Sequence, residues 1–101
     1  MNQPIKAAAL VLRAVTNKTR IKIIDYLRAN GKTTVTKLYI GLRMEQSVVS
    51  QHLAILRKVG VLNMNRDGKF VHYSINDTRI NKITDLCTDI IGAKTAVVED
   101  D

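Results

Sequence analysis

Cysteine, proline and aromatic residues are scarce in this chain of 101 residues, which has one Cys, one Pro, no Trp and an aromatic content of 4%. Cys87 alone can form neither an internal disulfide bond nor a multi-cysteine zinc site. Because structural disulfide bonds are typical of exported proteins, we expect a reduced, cytoplasmic protein. The groups that most often carry catalysis are also few, with two His and two Glu in the whole sequence. We therefore do not expect an enzyme.

Long apolar runs are missing as well. No stretch of the sequence approaches the roughly 18 apolar residues that a membrane-spanning helix needs. The first residues, Met1 to Pro4, lack the positively charged segment and the cleavage pattern of a signal peptide. We therefore expect neither a membrane protein nor a secreted one.

The charge of the chain is basic overall but unevenly distributed. The formal net charge is +7, with 16 Lys and Arg against 9 Asp and Glu. Residues 1–76 carry 13 of the basic residues and only 3 of the acidic ones, whereas residues 77–101 carry 3 basic and 6 acidic residues. This asymmetry favours a polyanionic partner for the first part of the chain, although a solvated basic surface would give the same count. We expect a single domain over residues 1–96 and a disordered acidic tail over residues 97–101.

Helical periodicity is present on both sides of a short β-branched run. Apolar residues at helical spacing predict a first helix from Pro4 to Thr16 and a second helix that Asn17 or Thr19 caps and Asn30-Gly31 ends. Residues 33–35 suggest a single strand, after which Thr36 can cap a short third helix. A last helix is predicted over residues 77–93. Its apolar stripe and that of the first helix are wider than one core face needs, so we expect these two terminal helices to form a dimer interface; packing onto the monomer core is the alternative.

The fourth predicted helix has the clearest pattern. Val49, Leu53 and Leu56 share one face, and Gly60 ends the helix. A second face is small and polar, with residues at the spacing i, i+3, i+4 and i+7. The members of this polar face are Ser47, Ser50, Gln51 and Ala54.

A period of two replaces the helical period after Gly60. Residues 61–65 and 70–75 read as two strands, and Asp67-Gly68 between them predicts a two-residue type I′ hairpin turn. Arg66 and Lys69 would then flank the turn and project from its tip. Two helices, a polar recognition face and a basic hairpin in this order predict a winged helix-turn-helix protein, mainly α with five helices and a small β-hairpin wing.

Three segments of this layout resemble the ArsR/SmtB-type transcriptional repressors. Residues 17–27, NKTRIKIIDYL, resemble the opening of that family's second helix. Residues 46–62, QSVVSQHLAILRKVGVL, are similar to its recognition helix, and residues 67–75, DGKFVHYSI, to its wing. The resemblance covers about residues 5–93. It implies a homodimeric repressor that inserts paired helices into successive major grooves of an inverted-repeat operator and that an inducer displaces.

The resemblance also implies which side chains contact DNA. Those expected to face the operator from the fourth helix are Gln46, Ser47, Ser50, Gln51 and His52. Arg66 and Lys69 would be the contacts of the wing, and Arg20 is a candidate phosphate contact. For Ser50 and Gln51 the alternative is ordinary solvated helix surface, and for His52 it is a hydrogen bond within the domain.

The sequence departs from the family at its known sensing sites. The third helix has no thiol, and the family's Asp-x-His step reads Asp77-Thr78-Arg79, with Ile90 and Ala93 at the later ligand positions. Protonated arginine, isoleucine and alanine cannot ligate a metal ion, so we expect no metal site and no cofactor. Cys87 is expected to be an inert core thiol, with a cross-dimer Cys87 pair as the alternative.

The turn before the fourth helix contains an unusual residue. Arg43 stands where relatives often carry glycine, so a positive φ is expected there. The function expected is a sequence-specific, DNA-binding transcriptional regulator, with an unidentified small-molecule inducer as a further partner. The rival is a winged-helix protein-interaction module without specific DNA binding, for which an acidic protein surface would take the place of DNA.

Overall fold

Five helices and three strands form within residues 3–92, the part of the chain that the computed structural model describes. The helices are α1 (Gln3–Thr16), α2 (Lys18–Asn30), α3 (Val35–Gly41), α4 (Gln46–Lys58) and α5 (Asp77–Ile91). The strands are β1 (Thr33–Thr34), β2 (Leu62–Asp67) and β3 (Phe70–Ile75). This architecture confirms the predicted fold class. The predicted acidic tail, residues 97–101, lies outside the described residues.

The three strands form one antiparallel sheet in the order β1-β3-β2. The long hairpin of β2 and β3 forms the wing, and β1 adds a short third strand through the pairing of Thr33 with Tyr73. Leu62 is paired with Ile75 at the base of the hairpin. Since β1 lies between α2 and α3, this sheet fixes the wing to the helical body.

The core lies between α2, α3, α4, the base of the wing and the start of α5. Its buried members are Ile23, Ile24, Leu27, Leu38, Val49, Leu53, Leu56, Val61, Leu62 and Ile80. Helix α1 contributes Ala14 as its buried residue. The helices that carry the predicted helix-turn-helix are thus set firmly in the core, while α1 lies at its edge.

The predicted start of α2 is confirmed, whereas that of α3 is wrong by two residues. Asn17 Oδ1 accepts the backbone N–H groups of Thr19 and Arg20 at 3.0 and 3.1 Å. For α3 the cap is Thr34 rather than Thr36, with Thr34 Oγ1 accepting the N–H of Lys37 at 3.3 Å. Thr34 has the extended backbone of a cap because it still belongs to β1, so the helix begins at the next residue.

The hairpin turn also differs from the prediction by one residue. Asp67 and Phe70 are the last paired residues, so Gly68 and Lys69 form the two-residue loop. Gly68 has a φ of +61°, and no positive φ occurs at Lys69, which is the pattern of a type II′ turn rather than type I′. A turn centred on Asp67-Gly68 would instead place Arg66 directly opposite Lys69, and like charges in that position are destabilising.

Candidate DNA interface

The turn between α3 and α4 is closed by backbone hydrogen bonds. The N–H of Arg43 donates to the carbonyl of Ile40 at 3.1 Å, and that of Met44 to the carbonyl of Tyr39 at 3.0 Å. Arg43 has a φ of +55°, which confirms the positive φ expected at this position. This left-handed residue reverses the chain within a few residues and so sets the angle between α3 and α4.

The recognition helix α4 has one buried face and one exposed polar face, as its sequence predicts. Val49, Leu53 and Leu56 are at most 1% exposed and hold the helix in the core. The members of the predicted polar face, on the opposite side, are exposed to solvent, namely Ser47, Ser50, Gln51 and Ala54. Gln46, in the first turn of the helix, is also exposed. Because the buried face fixes the rotation of α4 about its axis, these short side chains point together away from the protein body.

The amino end of α4 carries further donors. Its N-cap residue, Glu45, makes no side-chain hydrogen bond to the helix. The first backbone N–H groups of an α-helix have no acceptor within the helix, and the helix dipole makes this end positive. The free N–H groups beside Gln46 and Ser47 can donate to an anionic group such as a phosphate, against the opposing negative charge of Glu45.

His52 and Arg20 are in direct contact. Arg20 Nη1 lies 3.2 Å from His52 Nδ1, and both side chains are half-buried. Burial of the imidazole lowers the pKa of His52 below its ordinary value, and the positive charge of Arg20 lowers it further. The hydrogen bond within the domain, left open as an alternative for His52, is thus present. Contact of either residue with DNA stays a prediction.

The wing has a basic, exposed tip. Arg66 on β2 and Lys69 in the turn are both exposed, with the exposed Asp67 between them. Lys69 Nζ lies 5.9 Å from the centre of the Phe70 ring, which is within cation–π range. Two cations near the end of an exposed hairpin can reach a phosphate backbone, and the Phe70 ring lies beside one of them.

Two side chains at the start of α5 attach the carboxyl end of α4, a role that the sequence analysis missed. Arg79 Nε donates to the carbonyl of Val59 at 3.1 Å. Asn76 Nδ2 donates to the carbonyl of Gly60 at 3.1 Å, and the Asn76 backbone N–H to that of Val61 at 2.8 Å. Basic side chains near the carboxyl end of a helix often donate hydrogen bonds to its last carbonyl groups. Arg79 and Val59 are twenty positions apart, so the local sequence does not show that they meet.

Two of the family's metal-ligand positions hold Arg79 and Ile90, whose side chains do not ligate a metal ion. Arg79, at one of them, is a donor to a backbone carbonyl. Ile90 is 77% exposed, and Ala93 lies outside the described residues. Within residues 3–92, no group of three or more His, Cys, Asp or Glu side chains is placed so that it could hold a metal ion.

The outer surfaces of α1 and α5 are apolar and exposed. Leu10 on α1 is 57% exposed, and Leu86 and Ile90 on α5 are 61% and 77% exposed. An apolar groove of about 380 Å³ lies between the two helices. Cys87, which is half-buried, lines this groove and is not part of the core in which it was expected. Helix α5 was predicted over residues 77–93 but ends at Ile91. Gly92, with a φ of +73°, caps it.

A rigidly held helix with an exposed polar face, preceded by a tight turn and followed by a basic hairpin, defines a winged helix-turn-helix protein.

Comparison with known proteins gives the family. Residues 17–64 match the family described as "Bacterial regulatory protein, arsR family". The chain is 36% identical over 84 residues to the HTH-type transcriptional regulator NmtR of Mycobacterium tuberculosis, which covers 83% of this chain and 69% of that protein. It is 35% identical over 82 residues to the transcriptional repressor PagR of Bacillus anthracis, with coverages of 81% and 82%. The chain belongs to the ArsR family.

Solved structures agree with this assignment. That of PagR matches with a TM-score of 0.68 at 33% identity, over 83% of this chain and 95% of that chain. An ArsR-like transcriptional regulator from Rhodococcus sp. RHA1 has a TM-score of 0.76 at 22% identity, over 92% and 86% of the two chains, and so shares the fold.

The protein is a DNA-binding transcriptional regulator, and the family is one of regulators rather than enzymes. Within residues 3–92, no helix is both long enough and apolar enough to span a membrane.

Proposed function

We propose that the protein is a homodimeric repressor that binds an inverted-repeat operator. The observation that carries this proposal is the geometry of α4: three core side chains fix the helix while its polar face stays exposed. An α-helix fits the major groove of B-DNA, where side chains such as Gln51 and Ser50 can read base edges. Repression follows most simply if the bound dimer excludes other proteins from overlapping DNA.

The proposed DNA contacts divide into reading and anchoring groups. The reading residues are Gln46, Ser47, Ser50, Gln51 and His52 on α4. Arg66 and Lys69 on the wing would neutralise phosphates, whereas the guanidinium group of Arg20, the third candidate, is occupied by contacts within the domain. Phosphate contacts supply affinity without sequence preference, so binding should weaken steeply as salt increases.

The dimer is proposed from the exposed apolar surface of the terminal helices. Leu10, Leu86 and Ile90 are each more than half exposed, which costs free energy in a soluble monomer. A two-fold axis through α1 and α5 would bury these side chains against their equivalents in a second copy. An inducer, if it acts as the family resemblance implies, would shift this dimer to a form that binds the operator less tightly.

The test is fluorescence anisotropy of the protein on DNA from upstream of its own gene, against a scrambled duplex of equal length, at two salt concentrations. We expect tighter binding to the upstream DNA, two chains per site and a steep salt dependence. Ile90→Lys should convert the protein to a monomer in light scattering and weaken operator binding, whereas Asn81→Lys, on the same helix, should do neither. Equal, weak binding to both duplexes would contradict an operator at this position and favour the protein-interaction module.

A further inference from the structure

The guanidinium group of Arg20 joins three helices. Arg20 lies in the first turn of α2, and its Nε donates to the carbonyl of Ala14 at 2.6 Å, near the end of α1. Nη2 donates to the carbonyl of Arg13 at 3.5 Å. Nη1 lies 3.2 Å from Nδ1 of His52, in the middle of α4. One planar group thus connects the end of α1 to the recognition helix.

The chemistry of these contacts determines the state of His52. Arginine is a donor only, so the contact is a hydrogen bond when Nδ1 of His52 is the acceptor. This pairing requires a neutral ring that carries its proton on Nε2. At the other end, the carbonyls of Arg13 and Ala14 belong to the last turn of α1, where backbone acceptors lack intrahelical partners and the helix dipole is negative. A cation that donates several hydrogen bonds in fixed directions fits both ends.

Other contacts between α1 and α4 are less directional. The cleft between the two helices is lined mainly by apolar side chains, among them Leu10 and Val11 on α1 and Ile55 and Val59 on α4. Apolar packing sets a distance, but it leaves a helix freer to slide or tilt than hydrogen bonds of fixed geometry do. Ala14, the buried residue of α1, is also the residue whose carbonyl Arg20 holds most closely.

We propose that Arg20 is a positioning residue for DNA recognition, which sets the orientation of α4 relative to α1 through its hydrogen bonds to His52 and to the end of α1. This inference rests on the proposed function. If α1 forms the dimer interface, the angle between α1 and α4 fixes the separation of the two recognition helices. A small tilt of α4 would then move both helices out of register with successive major grooves.

The first test compares Arg20→Lys with wild type on two duplexes: the tightest one that the wild-type protein selects from a random pool, and a scrambled duplex of the same composition. Lysine keeps the positive charge but loses the planar set of donors. We expect about tenfold weaker binding to the selected duplex, the equivalent of one lost hydrogen bond, and unchanged binding to the scrambled one. Arg28→Lys, the same change two turns along α2, should leave both affinities unchanged.

The second test reads the ring of His52 without DNA. Nitrogen NMR shifts of the imidazole should show the Nε2–H tautomer in the wild-type protein and a mixture of tautomers in Arg20→Lys. His52→Leu alone should lower the preference for the selected duplex whether His52 positions α4 or reads a base, so the two residues have to be tested together. In the His52→Leu background, Arg20→Lys should weaken binding little further, because the two residues act as one unit.

Each contrary result has a distinct meaning. A wild-type ring protonated on Nδ1, or an Arg20→Lys variant with full affinity for the selected duplex, would overturn the positioning role. Equal losses on both duplexes would also overturn it, because the loss would then be independent of sequence. Failure of the wild-type protein to select any duplex would overturn the proposed function, and the role of Arg20 in recognition with it, whatever the tautomer.

Discussion

Arg79 Nε, at the start of α5, donates a 3.1 Å hydrogen bond to the carbonyl of Val59, the residue that caps the recognition helix. The contact joins the end of α4 to the helix that carries the exposed apolar surface. Together with Asn76, whose side chain donates to the carbonyl of Gly60, it fixes the carboxyl end of α4 from outside the core.

Removal of this contact should destabilise the fold moderately. We expect Arg79→Ala to lower the free energy of unfolding by about 1 kcal/mol, since the hydrogen bond is exposed to water and its carbonyl can be solvated. Urea denaturation measures the change. Lys82→Ala, one turn further along the exposed surface of α5, is the control and should have little effect. A loss no larger for Arg79→Ala than for this control would show that the contact contributes nothing to stability.

Substitution of Arg43 should stabilise the fold rather than destabilise it. Its φ of +55° is a conformation that glycine adopts without strain and arginine does not. We expect Arg43→Gly to raise the thermal midpoint and to increase the free energy of unfolding by roughly 1 kcal/mol. Arg43→Ala should not raise it, because alanine keeps the Cβ atom that causes the strain. Equal effects of the two substitutions would mean that the charge of Arg43, rather than its backbone, is responsible.

Gln51 is predicted to read bases. Gln51→Ala should reduce affinity for the preferred duplex by about 1–3 kcal/mol and leave affinity for a scrambled duplex nearly unchanged, since a lost contact to a base edge affects one sequence only. Anisotropy titrations on both duplexes give the two values. Ala54→Ser, further along the same exposed face, serves as a conservative control. Equal losses on the two duplexes would contradict a reading role for Gln51.

Lys69 is predicted to contact a phosphate instead. Lys69→Ala should weaken binding to both duplexes by the same factor and reduce the slope of log affinity against log salt by about 1. Lys82→Ala removes an equal charge from α5 and should change the slope less. A loss confined to the preferred duplex would show that the wing reads sequence.

Stability should depend on pH through His52. Because its pKa in the folded protein lies below the ordinary value of 6.5, the unfolded chain takes up a proton before the folded protein does. The contribution of the neutral ring is therefore complete above about pH 6.5 and is lost as the pH falls below it. Urea midpoints between pH 7.5 and 5 should decrease less in His52→Asn, which has no titrating ring. Identical pH profiles would exclude His52 as the source.

The local pattern of the sequence predicted the elements that depend on neighbouring residues. The spacing of Val49, Leu53 and Leu56 predicted the buried face of α4, because a helix places residues three and four apart on one side whatever surrounds it. Asn17 was one of two residues predicted to cap α2, for the same reason, since its hydrogen bonds reach only two and three residues along the chain. The positive φ of Arg43 was expected from the family resemblance and is confirmed.

Tertiary structure decided the features in which distant residues compete. Either Thr34 or Thr36 could cap α3, and the pairing of β1 with β3 selected Thr34. Either Asp67-Gly68 or Gly68-Lys69 could form the turn, and the register of β2 against β3 selected the second pair. The contact between Arg20 and His52 joins residues 32 positions apart. Sequence periodicity records which side of an element is buried, but it holds no information on which distant atoms meet there, because that depends on the packing of whole helices and strands.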